Sequence, residues 1–239
     1  MSKIIITGGC SFADKFMPKN AKPKPLDYKM WPEIIGELSK CEVINTGHSG
    51  FGNHAIYHSV LNEIWNNIDA VQHVYVMWSE WARQDFLTKS GYKSVVPRLE
   101  FDEYNKTHAF YQRTWSRPFP SMQQLIDTNM NYVYSMQSIC KNLGIKYTAV
   151  QAMKPIPQLV EGETLDTPFA YNIIKHPLVE SIENFMGWPM LDHLGGYNIV
   201  DLLNLSMGSS WRISIEDAHP NEKAQKFIAS KIYEYSDKS

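Results

Sequence analysis

The chain predicts an α/β protein, a mostly parallel sheet with helices on both faces. Three observations carry that expectation. Short apolar runs at residues 4–6, 42–45, 73–78 and 145–153 alternate with stretches of helical periodicity. The first three runs stop abruptly in polar or glycine-rich segments, and in open α/β sheets such carboxyl-edge loops hold the ligand. A length of 239 residues, 44% hydrophobic and 20% charged, supports one large core, so residues 1–239 are expected to form a single domain.

The first strand is a β-branched run closed by Gly8-Gly9, with Cys10, Ser11 and Phe12 following at once. On this stretch alone Ser11 reads equally as a group held at the sheet edge or as the cap of a following helix. Residues 17–29, rich in Pro and Lys, read as surface loop. Trp31-Pro32 then opens a helix, with proline at a favoured first-turn position. The second strand, 42–45, runs into NTGHSGFGN at 45–53, a glycine-rich loop before a helix over about 54–67, and such loops can present amides to an anion. Its glycine spacing is not that of a dinucleotide fingerprint. The third strand, 73–78, ends in SEWAR, residues 79–83. Residues 84–118 lack a clear period and are expected to form an insertion, a lid or binding loop. A helix over about 120–142 precedes the fourth strand. Further on we expect a helix around 168–186, a short strand near 197–200, and a last helix over about 220–235 with Ala224, Phe227, Ile228 and Ile232 on one face.

Composition narrows the partners. A net charge of −2 argues against nucleic acid or an acidic membrane surface. Three cysteines give no disulfide framework and fit a reducing compartment. The chain opens directly into a strand and has no apolar run of spanning length, so a cytoplasmic location is expected. Aromatics make up 13% of the chain and mostly fill a core; Trp81, Trp115 and Trp188 lie in loop-like contexts where they could instead stack on sugar rings. His54 and His58 are four apart on a helix, but one His pair leaves most of a metal's coordination unfilled, and no metal or cofactor is expected. Cys10 reads as a small residue tucked beside the serine, not as the nucleophile.

The polar loops after strands one, two and three, with the loop before the last helix, bring Ser11, the amides of residues 47–52, residues 79–83 and His219 toward one sheet edge. That is an inventory for acyl transfer: nucleophile, base and oxyanion donors.

Four blocks in order then resemble the SGNH hydrolases, the GDSL-type esterases and lipases. GGCSF at 8–12 is similar to the nucleophile block, with Cys10 where the family usually has Asp. VINTGHSG at 43–50 is similar to the second block, Gly50 standing in the place of the oxyanion glycine. WSEWAR at 78–83 occupies the third block without its asparagine. EDAHPN at 216–221 resembles the last, Asp-x-x-His-Pro, block. The resemblance implies a three-layer α/β/α sandwich with a flavodoxin-like parallel sheet of about five strands. It also implies Ser11 as nucleophile, His219 as general base, and Glu216 or Asp217 as the acid that orients it, with Glu216 favoured on spacing. Ser11, Gly50 and Ser79 are the expected oxyanion donors, with the Arg83 guanidinium a further stand-in for the missing asparagine; Arg83 and Trp81 are the expected substrate contacts, Arg83 reading equally as the ion-pair partner of Glu80 or Asp85 and Ser79 as the end of its strand. The function implied is hydrolysis of carboxylic esters, such as acetyl or other short acyl groups on carbohydrate. The alternative is a catalytically weak relative on the same fold that binds a glycan.

Overall fold

The computed structural model describes residues 3–17, 24–89, 91–95, 121–156 and 166–238. Strand β1 (Ile4–Gly8) is followed by a two-residue ribbon of β2 (Phe16–Met17) and β3 (Lys24–Pro25), helix α1 (Trp31–Ser39), β4 (Glu42–Asn45) and α2 (Asn53–Asn66). Next come β5 (Val71–Trp78) and a hairpin of β6 (Gln84–Thr88) and β7 (Gly91–Val95). Helix α3 (Met122–Asn142), β8 (Lys146–Gln151), α4 (Asp166–Ile174), β9 (Phe185–Met186), α5 (Ile199–Met207) and α6 (Glu222–Ser236) complete the chain. Five strands form one parallel sheet in the order β4-β1-β5-β8-β9, the doubly wound order in which the chain reverses direction beside β1.

The apolar run of β1 is continuous because both of its faces are covered. Ile4 and Ile6 join Ile56, Val60 and Ile64 of α2 and Ile126, Met130 and Val133 of α3. Ile5 points the other way, toward Trp31 and Ile35 of α1 and Ile228 and Ile232 of α6. Gly8 closes the strand because α2 crosses there: a Cβ would come within 2.3 Å of Val60 Cγ2. Among the described residues no helix is long and apolar enough to cross a membrane.

Two expectations fail in the stretch before α6. The helix expected over 168–186 stops at Ile174, and the fifth strand is the two-residue β9. The strand expected near 197–200 is instead the start of α5, because the Asn198 side chain accepts from the Asp201 amide (3.1 Å) and caps a helix that the apolar residues Ile199, Leu202 and Leu203 continue. The expected insertion begins as the β6–β7 hairpin; residue 90 and residues 96–118 lie outside the described residues.

Two buried polar groups give testable consequences. Gln225 on α6 is fully buried; its Oε1 accepts from the Trp31 amide (2.9 Å) and its Nε2 donates to the Phe12 carbonyl (3.2 Å), fastening α1 and the loop after β1 to the last helix. Gln225→Met leaves both partners buried without a bond and is expected to lower stability by about 1–3 kcal/mol in urea unfolding. His73 on β5 is buried, stacked on Tyr75 and bonded through Nε2 to Thr148 Oγ1 (2.9 Å). Burial, aided by the nearby Lys146 charge, pushes its imidazole down to about 3. The folded His73 therefore stays neutral while the unfolded chain takes up a proton below about pH 6.5. Stability is thus lost as pH falls from there toward 3, with a slope of up to about 1.4 kcal/mol per pH unit. Between about pH 7 and pH 5 the wild type should lose about 2 kcal/mol more than His73→Gln in paired urea titrations.

Candidate active site

Ser11 lies in the turn just past β1, closed by the Ala13 amide donating to the Cys10 carbonyl (2.9 Å). No helix begins there, which removes its reading as a cap. Cys10 is fully buried in the core on the α1/α6 side. Ser11 Oγ lies 3.0 Å from His219 Nε2, and His219 Nδ1 lies 2.6 Å from Asp217 Oδ1. These three residues form a continuous hydrogen-bonded chain. Glu216, favoured on spacing, is exposed and is not part of it.

The loop that carries His219 explains the choice. The Ser214 and Asp217 amides each donate to the other's carbonyl (both 3.3 Å), and the Asp217 amide also donates to Ser214 Oγ (3.1 Å). This tight turn directs Asp217 back at the histidine, where its Oδ1 also accepts from the His219 amide (3.2 Å). Asn221 fixes the far end: its Nδ2 donates to the Ser210 and Arg212 carbonyls, and its Oδ1 caps α6 at the Ala224 amide. The Tyr28 hydroxyl donates to the Pro220 carbonyl (3.0 Å); burial, with the charge of Asp217, pushes its pKa up to about 12.

The glycine-rich loop is tied internally and does not offer a row of amides to an anion. Gly47 donates to Asn45 Oδ1, His48 to the Gly9 carbonyl, Ser49 to Asp14 Oδ2, and Phe51 to the His48 carbonyl. Gly52 and Ala55 both donate to the Asp85 carboxylate, which the β6–β7 hairpin lays across the start of α2. Gly50, exposed at φ +87°, is the residue of this loop whose amide has no acceptor among the described residues.

Ser11 and His219 open onto a cavity of about 330 Å³ at the carboxyl edge of the sheet. Phe12, Met153, Ile156, Val200 and Trp211 give it apolar walls, and Glu80, Arg83, Lys154 and Arg212 supply charge. Arg83 lines this cavity and forms the ion pair with Glu80 that is its alternative reading, its Nε donating to Glu80 Oε2 (2.9 Å) and its Nη1 to the Phe51 carbonyl (3.3 Å). Trp81 does not: it is buried, edge-on to Phe169, with its indole N–H donating to Gln151 Oε1 (3.2 Å). Ser79 is also fully buried, and its side chain does not line the cavity. Trp188 is half-buried against Phe185, and Trp115 lies outside the described residues. His54 Nδ1 is engaged by the Tyr132 hydroxyl (2.9 Å).

What fixes the loop after β5 is a buried amide network. Asn53 Oδ1 accepts from the Ser79 amide (2.7 Å) while its Nδ2 donates to Asn129 Oδ1 (2.7 Å). Asn129 Nδ2 donates to the Trp81 carbonyl (3.2 Å), and Gln151 Nε2 to the Ser79 carbonyl (2.8 Å). Three amides on three elements hold residues 79–81 inward and swing Glu80 and Arg83 to the cavity. Sequence reasoning missed them, although each is a polar residue placed within an apolar pattern.

Compared with solved structures, the chain superposes along its length on a protein from Slackia heliotrinireducens provisionally described as an SGNH hydrolase, with TM-score 0.51, 11% identity, and 98% of this chain and 99% of that one covered. A psychrotrophic esterase from Pseudoalteromonas sp. gives TM-score 0.49 at 13% identity over 99% of this chain and 97% of its own. An acetylxylan esterase from Geobacillus stearothermophilus gives 0.45 at 14% over 98% and 94%. No protein-family model matches the sequence, and no curated protein matches it significantly. The likeness is one of fold: the chain has the α/β/α arrangement and five-stranded parallel sheet of the SGNH hydrolases.

Proposed function

We propose that the chain is a serine esterase that cleaves small carboxylic esters through Ser11, His219 and Asp217. The observation that carries this reading is the unbroken chain from Ser11 Oγ through the imidazole to Asp217 Oδ1, opening onto a cavity. A serine hydroxyl is a weak nucleophile until a base takes its proton, a contribution of roughly 10²–10⁴-fold. His219 Nε2 is placed to accept that proton as Oγ attacks the ester carbonyl. Asp217 keeps the Nδ1 proton on the far side of the ring and stabilises the imidazolium that forms. Collapse of the tetrahedral intermediate expels the alcohol, which takes the proton from His219, and water activated by the same base then releases the acyl group.

The oxyanion needs donors. The amides of Ser11, which lines the cavity, and of Gly50, which does not, have no acceptor among the described residues. Arg83, in the cavity wall, is the stand-in for the family's asparagine, a guanidinium held by Glu80 with hydrogens still to give. Phe12 and Trp211 give the cavity an aromatic side suited to a sugar or another ring-bearing alcohol. The test is covalent capture: a p-nitrophenyl alkylphosphonate should lose p-nitrophenolate as Ser11 Oγ attacks phosphorus, adding one phosphonyl group to the protein, and peptide mass spectrometry should place it on Ser11. Failure to label, or labelling elsewhere, removes Ser11 from the mechanism.

A further inference from the structure

Arg212 is the one cation in the cavity whose charge no described acid answers. Arg83 is paired with Glu80 at 2.9 Å. Lys154 faces Asp192 and Asp201, and its charge favours the ionised form of both. His219 is held by Asp217. Arg212 lines the same cavity, yet among the described residues no carboxylate lies within ion-pair distance of it, and its Nε is buried with no hydrogen-bond acceptor. A buried donor left unpaired is costly, and a guanidinium is built to meet a planar or tetrahedral anion with two parallel bonds.

The residue is also firmly set. Its carbonyl is held by Asn221, it pairs across a bridge with Pro220, and its guanidinium lies 5.2 Å over the Trp211 ring. Trp211 in turn is anchored by its indole N–H to Asn204 Oδ1 (2.7 Å). Arg212 is therefore a fixed positive group on the loop that also carries His219 and Asp217.

We infer that Arg212 selects esters bearing an anionic group, a carboxylate, sulfate or phosphate, next to the scissile bond. The apolar wall takes the neutral part of the molecule, and Arg212 takes the charge. The inference rests on the esterase reading for its substrate class, but anion binding itself does not require catalysis.

Two matched ester pairs test it: para-acetoxybenzoate against its methyl ester for charge on the alcohol side, and p-nitrophenyl hemisuccinate against p-nitrophenyl methyl succinate for charge on the acyl side. Arg212→Gln should lower the ratio of kcat/KM, anionic over neutral, by about 10- to 100-fold for at least one pair, the loss expected of one charge-assisted contact. Arg212→Lys should recover part of it, and added salt should reduce the wild-type ratio. The pair that responds identifies the side of the ester on which the anion sits. A ratio unchanged by Arg212→Gln in both pairs overturns the inference and leaves the esterase reading standing. If no ester is turned over, calorimetric titration with benzoate and benzamide decides instead. Benzoate binding that is lost in Arg212→Gln, with no comparable binding of benzamide, supports the anion site without the esterase. Equal benzoate binding by both proteins, or none by either, overturns it.

Discussion

Ser11→Ala should abolish hydrolysis of p-nitrophenyl acetate, lowering kcat/KM by about 10⁴-fold or more while leaving the fold in place. The substitution removes one oxygen from a half-buried position, and among the described residues the side-chain hydrogen bond it breaks is the one to His219. Its cost in stability should stay within about 1 kcal/mol, since a single such bond has a net worth of that order. The cost in rate is far larger because no other described residue lining the cavity beside His219 carries a serine, threonine or cysteine nucleophile. Cys10, the adjacent nucleophilic atom type, is sealed in the core. Unchanged rates in the variant would show that turnover of an activated ester proceeds elsewhere on the surface, and the esterase reading would fall with it.

Much of the architecture was legible in the sequence because the three central sheet strands are buried on both faces, while the edge strand β4 is marked by Val43 and Ile44 between two turn-forming ends. β1, β5 and β8 therefore announce themselves as apolar runs closed by polar loops. The fifth was not, since two residues of edge pairing at Phe185–Met186 leave no pattern, and Asn198 turned an apolar stretch into a helix by capping it. The site divided along similar lines. That Ser11, His219 and Arg83 meet at one cavity was legible from their places at strand ends and before the last helix. Ser79 and Trp81 were misplaced because the path of their loop depends on Asn53, Asn129 and Gln151, which reach it from distant parts of the chain. Arg212 carried no signal at all; its significance lies in what does not face it.

The choice between the two acids is the sharpest test of the site. Asp217→Asn should lower kcat/KM by about 10²–10⁴-fold, while Glu216→Gln should stay within about twofold of wild type. Asparagine preserves shape, but its amide can donate to His219 Nδ1 where the carboxylate accepted. That favours the tautomer with the proton on Nε2, pointing at Ser11 Oγ, in which the imidazole can no longer act as base. The stabilising charge beside the developing imidazolium is lost as well. Glu216 is exposed and contributes neither effect. Spacing alone favours Glu216, but spacing along an irregular loop does not fix direction: neighbouring side chains leave the backbone on different sides, and the turn between Ser214 and Asp217 decides which one faces the ring. Parallel assays of the two variants on p-nitrophenyl acetate, with melting curves to establish that both are folded, separate the possibilities. A collapse of activity in Glu216→Gln with Asp217→Asn intact would mean that this turn rearranges when the ester binds, and would move the orienting role back to the position that the family spacing favours.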